Sequence, residues 1–142
     1  MEKFIVTGGR SLHGEITPAG NKNEALPVLA ALLLTEESVT LHNLPNIGDI
    51  NHMKQILEAL GVTSSFLGGS SYQFDSGKLL GSDPDEALSR AIRGSFLLAA
   101  PLLHRFGKAR VYVPGGDSIG KRRLDTHIHP LSEMGVEITA GG

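Results

Sequence analysis

The sequence predicts an α/β fold assembled from a repeated unit of strand, helix, strand, strand and helix. Three observations predict it. Short β-branched and aromatic stretches alternate with longer stretches of helical period; glycine and proline fall at the junctions; and the same order of motifs returns about seventy residues further on. Ala-Ala-Pro-Leu-Leu at 99–103 echoes Ala-Leu-Pro-Val-Leu at 25–29, Val-Tyr-Val at 111–113 echoes Val-Thr-Leu at 39–41, and Leu-Ser-Glu-Met-Gly-Val at 131–136 echoes Leu-Glu-Ala-Leu-Gly-Val at 57–62.

In chain order, 4–7 and 14–17 read as short strands bounded by Gly8-Gly9 and Pro18. Asn23 is placed to cap the first helix, with Pro27 in its first turn, where a missing N–H costs nothing, ahead of an apolar core face over 28–34. Residues 39–42 form a strand. Asp49 caps a second helix whose buried stripe is Met53, Ile56, Leu57 and Leu60, and Gly61 ends it. Two strands, 62–66 and 72–74, then form a hairpin about Gly68-Gly69. Asp83 reads as an N-cap, with Pro84 at the first helical position and Glu86 completing a capping box. Arg90 and Arg93, three apart on that helix, share a face; Pro101 kinks or divides the helix after it. Residues 111–113 and 136–139 are the strands of the second unit. The sequence ends at Gly141-Gly142, where the first unit makes its turn, so the closing strand is expected to be missing. Such a cut leaves an open sheet edge to which another chain could add.

Composition narrows the class. Of 142 residues, 40% are hydrophobic and 20% charged, with a net charge of −2, which excludes a disordered or membrane-embedded chain. There is no cysteine, hence no disulfide, thiolate metal site or cysteine nucleophile. The longest apolar run is too short to span a bilayer and the N-terminus lacks the pattern of a signal peptide, so a cytoplasmic protein with no membrane partner is expected. Charge is uneven: 11 of the 15 acidic residues precede Arg90, and eight of the 13 basic ones lie from Arg90 onward. Those basic residues are mostly arginine without interleaved aromatics, a pattern suited to a small polyanion and not to nucleic acid, unless it is simply a solvated face.

Two loops are built for anions. Pro114-Gly-Gly-Asp-Ser-Ile-Gly-Lys-Arg-Arg123 offers glycines that allow close backbone approach, a possible nest of N–H groups, and three cations; a plain strand-to-helix turn would use similar residues. Gly20-Asn-Lys-Asn23 sets a lysine at a helix start, though a capping Asn beside a surface Lys is the simpler alternative. His127 and His129 invite a metal reading, but two residues apart on a helix they face different sides, and no metal is expected. No dinucleotide fingerprint, Walker sequence or serine nucleophile motif is present.

Taken together, 1–6, Gly14-Glu-Ile-Thr, Gly20-Asn-Lys-Asn-Glu-Ala-Leu-Pro27, Arg93-Gly-Ser, Arg105-Phe-Gly and Pro114-Gly-Gly-Asp-Ser-Ile-Gly120 resemble the UDP-N-acetylglucosamine 1-carboxyvinyltransferases, along nearly the whole chain. The resemblance implies an α/β fold that is part of an inside-out barrel of βαβαββ units, about two of them present. It makes this sequence the N-terminal third of the enzyme, with 1–21 as opening strands of its second domain and 22–142 as a partial catalytic domain. It implies transfer of the enolpyruvyl group of phosphoenolpyruvate to the 3′-hydroxyl of UDP-N-acetylglucosamine, with phosphate released and no cofactor. Lys22 and Asn23 would contact phosphoenolpyruvate and the sugar, Arg93 the nucleotide, and Arg122 a phosphate or carboxylate. Arg123, Leu124, Asp125 and Thr126 would line the uridine, although the family often has proline at the place of Arg123. Asp117 would be the proton donor, standing where most members carry a cysteine that fosfomycin alkylates, which implies resistance to that drug. The sister transferase acting on shikimate 3-phosphate is an alternative, but its Gly-Asn-Ala-Gly-Thr stretch is absent. A non-catalytic fragment that binds UDP-sugar is another. By itself the fragment is expected to be inactive.

Overall fold

The computed structural model describes residues 3–115 and 123–140. Helix α1 (Lys22–Ala31) tightens into a 3₁₀ turn (Leu32–Leu34) and is followed by strand β1 (Val39–Leu41), helix α2 (Gly48–Ala59) and the hairpin β2 (Thr63–Gly68) and β3 (Ser71–Asp75). Helix α3 (Glu86–Ala91), a second 3₁₀ segment (Arg93–Leu98), α4 (Ala99–Phe106) and α5 (Asp125–Glu133) complete the described elements. The architecture is mixed α/β: the antiparallel sheet, in the order β1-β3-β2, covers one side of a helical core.

Helix α2 has a regular apolar stripe. Ile50, Met53, Ile56, Leu57 and Leu60 recur at three- and four-residue spacing, are at most 2% exposed, and pack against α1 and the second 3₁₀ segment. Gly61 closes the helix at φ 101°, and a Cβ there would lie 2.6 Å from the Lys78 carbonyl. The internal repeat is visible at this point. After α2, the Gly61 and Val62 amides donate to the Glu58 and Leu57 carbonyls at 3.0 Å; after α5, Gly135 and Val136 donate to Ser132 and Leu131 at 2.9 and 3.0 Å. Both glycines have positive φ, so the two units share one C-terminal stop.

The hairpin forms as its local pattern requires, with Gly68 at the end of β2 and Gly69 in the turn both at positive φ, and Phe66 opposite Tyr72. β1 adds to the other side of β3, aligning Val39 with Phe74 and burying the Phe74 ring.

Several expectations shift. The N-cap of α1 is Asn21, whose Oδ1 accepts the Asn23 N–H at 2.7 Å, so Asn23 lies inside the helix. Pro27 is then the sixth helical residue, beyond the first turn, and the Asn23 carbonyl loses its i+4 donor. Ala25, Leu26, Leu29, Ala30, Leu32 and Leu33 form the core face, while Val28 and Leu34 face outward. Asp49 sits in the first turn of α2 and does not cap it; the cap position is Ile47. In α3 the cap is Asp85, accepting from the Leu88 N–H at 2.8 Å. Asp83, two residues earlier, instead binds Arg110 at 3.0 Å and the Tyr112 hydroxyl at 3.1 Å. Because α3 ends at Ala91 and Ile92 is extended, Arg90 and Arg93 do not share a helix face. The helical run near Pro101 is divided, but at Leu98–Ala99, where 3₁₀ passes into α; Pro101 falls in the first turn of α4.

Residues 4–7, 14–17, 111–113 and 136–139 form no strand. A strand exists only through a ladder with a neighbour, and among the described residues these four segments join none; near 111–113 the backbone bonds are single ones, Arg110 N–H to the Ser82 carbonyl and Gly115 N–H to the Arg90 carbonyl. Phe4, Ile5, Val6 and Ile16 are accordingly 88% exposed or more. Helix α5 buries none of its residues. Among the described residues no helix is long and apolar enough to cross a membrane.

Arg105 ties α4 to the end of α1 and to the segment that follows β3. Its guanidinium, with the side chain 13% exposed, donates to the carbonyls of Leu33 at 3.4 Å, Thr35 at 2.9 Å and Ser76 at 3.2 Å. Ser76 Oγ shares its proton between the Leu32 and Thr35 carbonyls, at 2.7 and 2.8 Å. The orphan carbonyls at the end of α1 are thereby satisfied from two distant segments.

Candidate functional site

The start of α1 is set by a close backbone approach. A Cβ on Gly20 would lie 1.9 Å from the Asn43 carbonyl, so only glycine lets the chain pass over the turn after β1, where Asn43 itself has φ 55°. From that anchor α1 presents Lys22 and Asn23 to a cleft of about 320 Å³. The facing wall is the second 3₁₀ segment, which approaches α1 at Gly94; a Cβ there would be 3.0 Å from Leu26 Cδ1. Arg93, Gly94 and Phe96 line that wall, Asp49 of α2 lines the floor, and Leu124 and His127 come from the start of α5.

The structure thus brings Lys22, Asn23, Arg93 and Leu124 into one cavity although 102 positions separate the first from the last. Lys22 Nζ donates to Asp49 Oδ2 at 2.8 Å. Arg93 Nη2 donates to the Arg123 carbonyl at 3.2 Å, which fastens the segment entering α5 to the wall of the cleft. Arg123 is ion-paired with Asp125, and Thr126 is exposed in the first turn of α5; none of these three lines the cavity. Asp117, Lys121 and Arg122 lie outside the described residues. At the last described residue before them, the Gly115 N–H donates to the Arg90 carbonyl at 2.9 Å, and a Cβ on Gly115 would sit 2.2 Å from that oxygen.

Two lining residues with ionisable side chains, Asp49 and His127, carry no expectation for this cleft from the sequence. Asp49, read as a helix cap, is the ion-pair partner of Lys22. His127, considered only for metal binding, places its ring against Phe96 at 5.4 Å between centroids. His129 points along α5 toward Glu133 at 4.0 Å, and among the described residues no three His, Cys, Asp or Glu side chains converge as a metal site would require. A cleft of this kind, with two cations, a helix start, an amide and one apolar wall, can hold an anionic group at one end and a ring at the other.

The chain is similar to known proteins in sequence and in fold. The sequence pattern of the family described as EPSP synthase (3-phosphoshikimate 1-carboxyvinyltransferase) matches residues 6–142. A UDP-N-acetylglucosamine 1-carboxyvinyltransferase of Bacteroides fragilis is 43% identical over 143 residues, covering 98% of this chain and 33% of the relative. One from Methylacidiphilum infernorum is 44% identical over 138 residues, covering 97% and 32%. The fold is similar to the crystal structure of the enolpyruvyl transferase NikO from Streptomyces tendae, with a TM-score of 0.73 and 24% identity over 94% of this chain and 29% of that one. The chain spans about a third of the length of the curated relatives it matches. With the family pattern covering nearly all of it, the chain belongs to the EPSP synthase family of carboxyvinyltransferases, and its similar relatives there are those named for UDP-N-acetylglucosamine.

Proposed function

We propose that the chain forms one wall of the active site of a UDP-N-acetylglucosamine 1-carboxyvinyltransferase, in which the enolpyruvyl group of phosphoenolpyruvate passes to the sugar 3′-hydroxyl. The observation that carries this reading is the convergence of Lys22, Asn23, Arg93 and Leu124 on one cleft. In this reading Lys22 and Arg122 neutralise phosphate or carboxylate oxygens, Asn23 orients the sugar, Arg93 binds the nucleotide diphosphate, and 123–126 border the uridine. Asp117 gives a proton to carbon 3 of phosphoenolpyruvate as the hydroxyl oxygen adds to carbon 2 and yields its own proton to a base on the facing wall of the cleft. Loss of a proton from carbon 3, with cleavage of the bond between carbon 2 and the phosphate oxygen, then restores the double bond and releases phosphate. No step requires a redox or metal partner.

The finer fold assignment belongs to the same reading. The described units are two of the βαβαββ blocks of an inside-out barrel, of which 22–142 form part, and 1–21 join a second domain. The exposure of Phe4, Ile5, Val6 and Ile16 supports that division, because four apolar side chains near full exposure need a surface to cover them. The relatives' chemistry uses nucleotide precursors, and a cytoplasmic location follows for this chain.

Calorimetry of the chain with UDP-N-acetylglucosamine tests the cleft, and phosphate release by the longer protein, with UDP-N-acetylglucosamine or shikimate 3-phosphate as acceptor, tests the chemistry. Turnover with the sugar nucleotide alone is expected. Turnover with shikimate 3-phosphate alone would transfer the assignment to the sister reaction.

A further inference from the structure

The cations that the described residues bring to the cleft and its rim face acceptors of this same chain. Lys22 Nζ meets Asp49 Oδ2 at 2.8 Å, Arg93 meets the Arg123 carbonyl at 3.2 Å, and Arg123 pairs with Asp125. Among these acceptors Asp49 is the only carboxylate that lines the cavity itself. It reaches Lys22 from α2, 27 positions along the chain. A carboxylate in a first helical turn is favoured by the helix dipole, but that preference does not require it to point at a lysine on another helix. The pair is close yet open to water, with side-chain exposures of 44% and 42%. Exposed pairs of this kind are weak, so the contact is easily exchanged for a better anion.

We propose that Asp49 is an internal counter-ion that competes with the ligand's anionic group for Lys22 and so sets the least charge a ligand must carry to enter. The inference rests on the reading of the cleft as an anion site given under Proposed function. A phosphate or phosphate ester with two negative charges gains more from the lysine than one carboxylate does, and it displaces Asp49. A monoanion gains nothing by the exchange and also meets the repulsion of the displaced carboxylate. The opposite role, a carboxylate that positions Lys22 for the ligand, makes the opposite forecast, because its removal would weaken binding.

The test titrates the purified chain with inorganic phosphate, and separately with acetate, at about 20 mM ionic strength, where charge interactions reach furthest. Asp49→Asn, Asp49→Ser, Lys22→Met and the double variant Lys22→Met/Asp49→Asn are compared with wild type, with circular dichroism confirming that each is folded. Both Asp49 variants are expected to bind phosphate about threefold to tenfold more tightly than wild type, with the gain shrinking at about 0.5 M salt. Acetate binding should become measurable only in the Asp49 variants. In the Lys22→Met background the Asp49 substitution should bring no gain. Phosphate affinity in the Asp49 variants equal to or below wild type overturns the inference, as does a gain that persists without Lys22. If phosphate binding by wild type is nonetheless lost in Lys22→Met, the cleft reading stands while the counter-ion role falls. Absence of phosphate binding in wild type and every variant removes both.

Discussion

Replacing Arg105 by methionine should cost the fold about 3 kcal/mol, and the structure allows that figure to be worked out. The guanidinium donates to three backbone carbonyls, two of them at 2.9 and 3.2 Å and the third at a weaker 3.4 Å. Hydrogen bonds from a charged donor contribute roughly 1.5–3 kcal/mol each, and the carbonyls left behind are partly buried. The Thr35 carbonyl keeps its contact with Ser76 Oγ, which reduces the loss. The ion pair with Glu36 adds little, since its oxygen is 3.5 Å away on a side chain 78% exposed. Methionine keeps most of the apolar stem, so the change reports the hydrogen bonds more than the packing. Two good bonds at about 2 kcal/mol each, less the relief of no longer burying a cation, leave about 3 kcal/mol. Urea denaturation followed by circular dichroism measures it, with the slope of the transition checked for unchanged two-state behaviour. Arg105→Lys retains the charge but not the planar fork and should recover roughly a third of the loss. A loss below about 1 kcal/mol for Arg105→Met, or full recovery by lysine, would refute the view that this fork ties α4 to the end of α1.

Three further outcomes follow. Asp85→Ala should destabilise the chain by about 1 kcal/mol through loss of the α3 cap, whereas Asp83→Ala should cost no more than about half of that, being an exposed contact; denaturation midpoints of the two separate the assignments. Gly61→Ala should lower stability by at least about 1 kcal/mol, because the residue has φ 101° and its Cβ would press on the Lys78 carbonyl; a neutral result in the same assay would count against the shared helix stop. In the longer protein, Asp117 should form no covalent adduct with fosfomycin by mass spectrometry while Asp117→Cys should form one, since a thiolate opens an epoxide far faster than a carboxylate does; an adduct on Asp117 would sink the expected resistance.

The sequence was most readable where structure is decided within a few neighbours. The stripe of α2 and the Gly68-Gly69 hairpin needed only period and turn chemistry, and both are present. Caps were less determinate: Gly20-Asn-Lys-Asn23 offers two asparagines, and Asp83-Pro-Asp85 two aspartates, either of which satisfies the local rule. The packing of Gly20 on Asn43, and the capture of Asp83 by Arg110 and Tyr112, are among the long-range contacts that distinguish the two choices. Strands at 4–7, 14–17, 111–113 and 136–139 carried the right residues but depend on partners that a local pattern does not supply. In the cleft, Lys22, Asn23, Arg93 and Leu124 are legible from their motifs, while Asp49 and His127 owe their places to the packing of α2 against α1 and of α5 against Phe96.

Leu26 shows how little freedom one side of the cleft has to change. It is 7% exposed, belongs to the core cluster, lines the cavity, and meets the backbone of Gly94 so closely that a methyl group would not fit without displacement. The width of the cavity at that wall and the packing of the interior are therefore one variable: trimming the side chain to admit a bulkier ligand opens a void between α1 and the 3₁₀ segment. The opposite side, carried by α5, has no buried residue and bears no such cost. Divergence of ligand preference among proteins built this way should accumulate at positions equivalent to Leu124 and His127, with the Leu26 wall held nearly invariant.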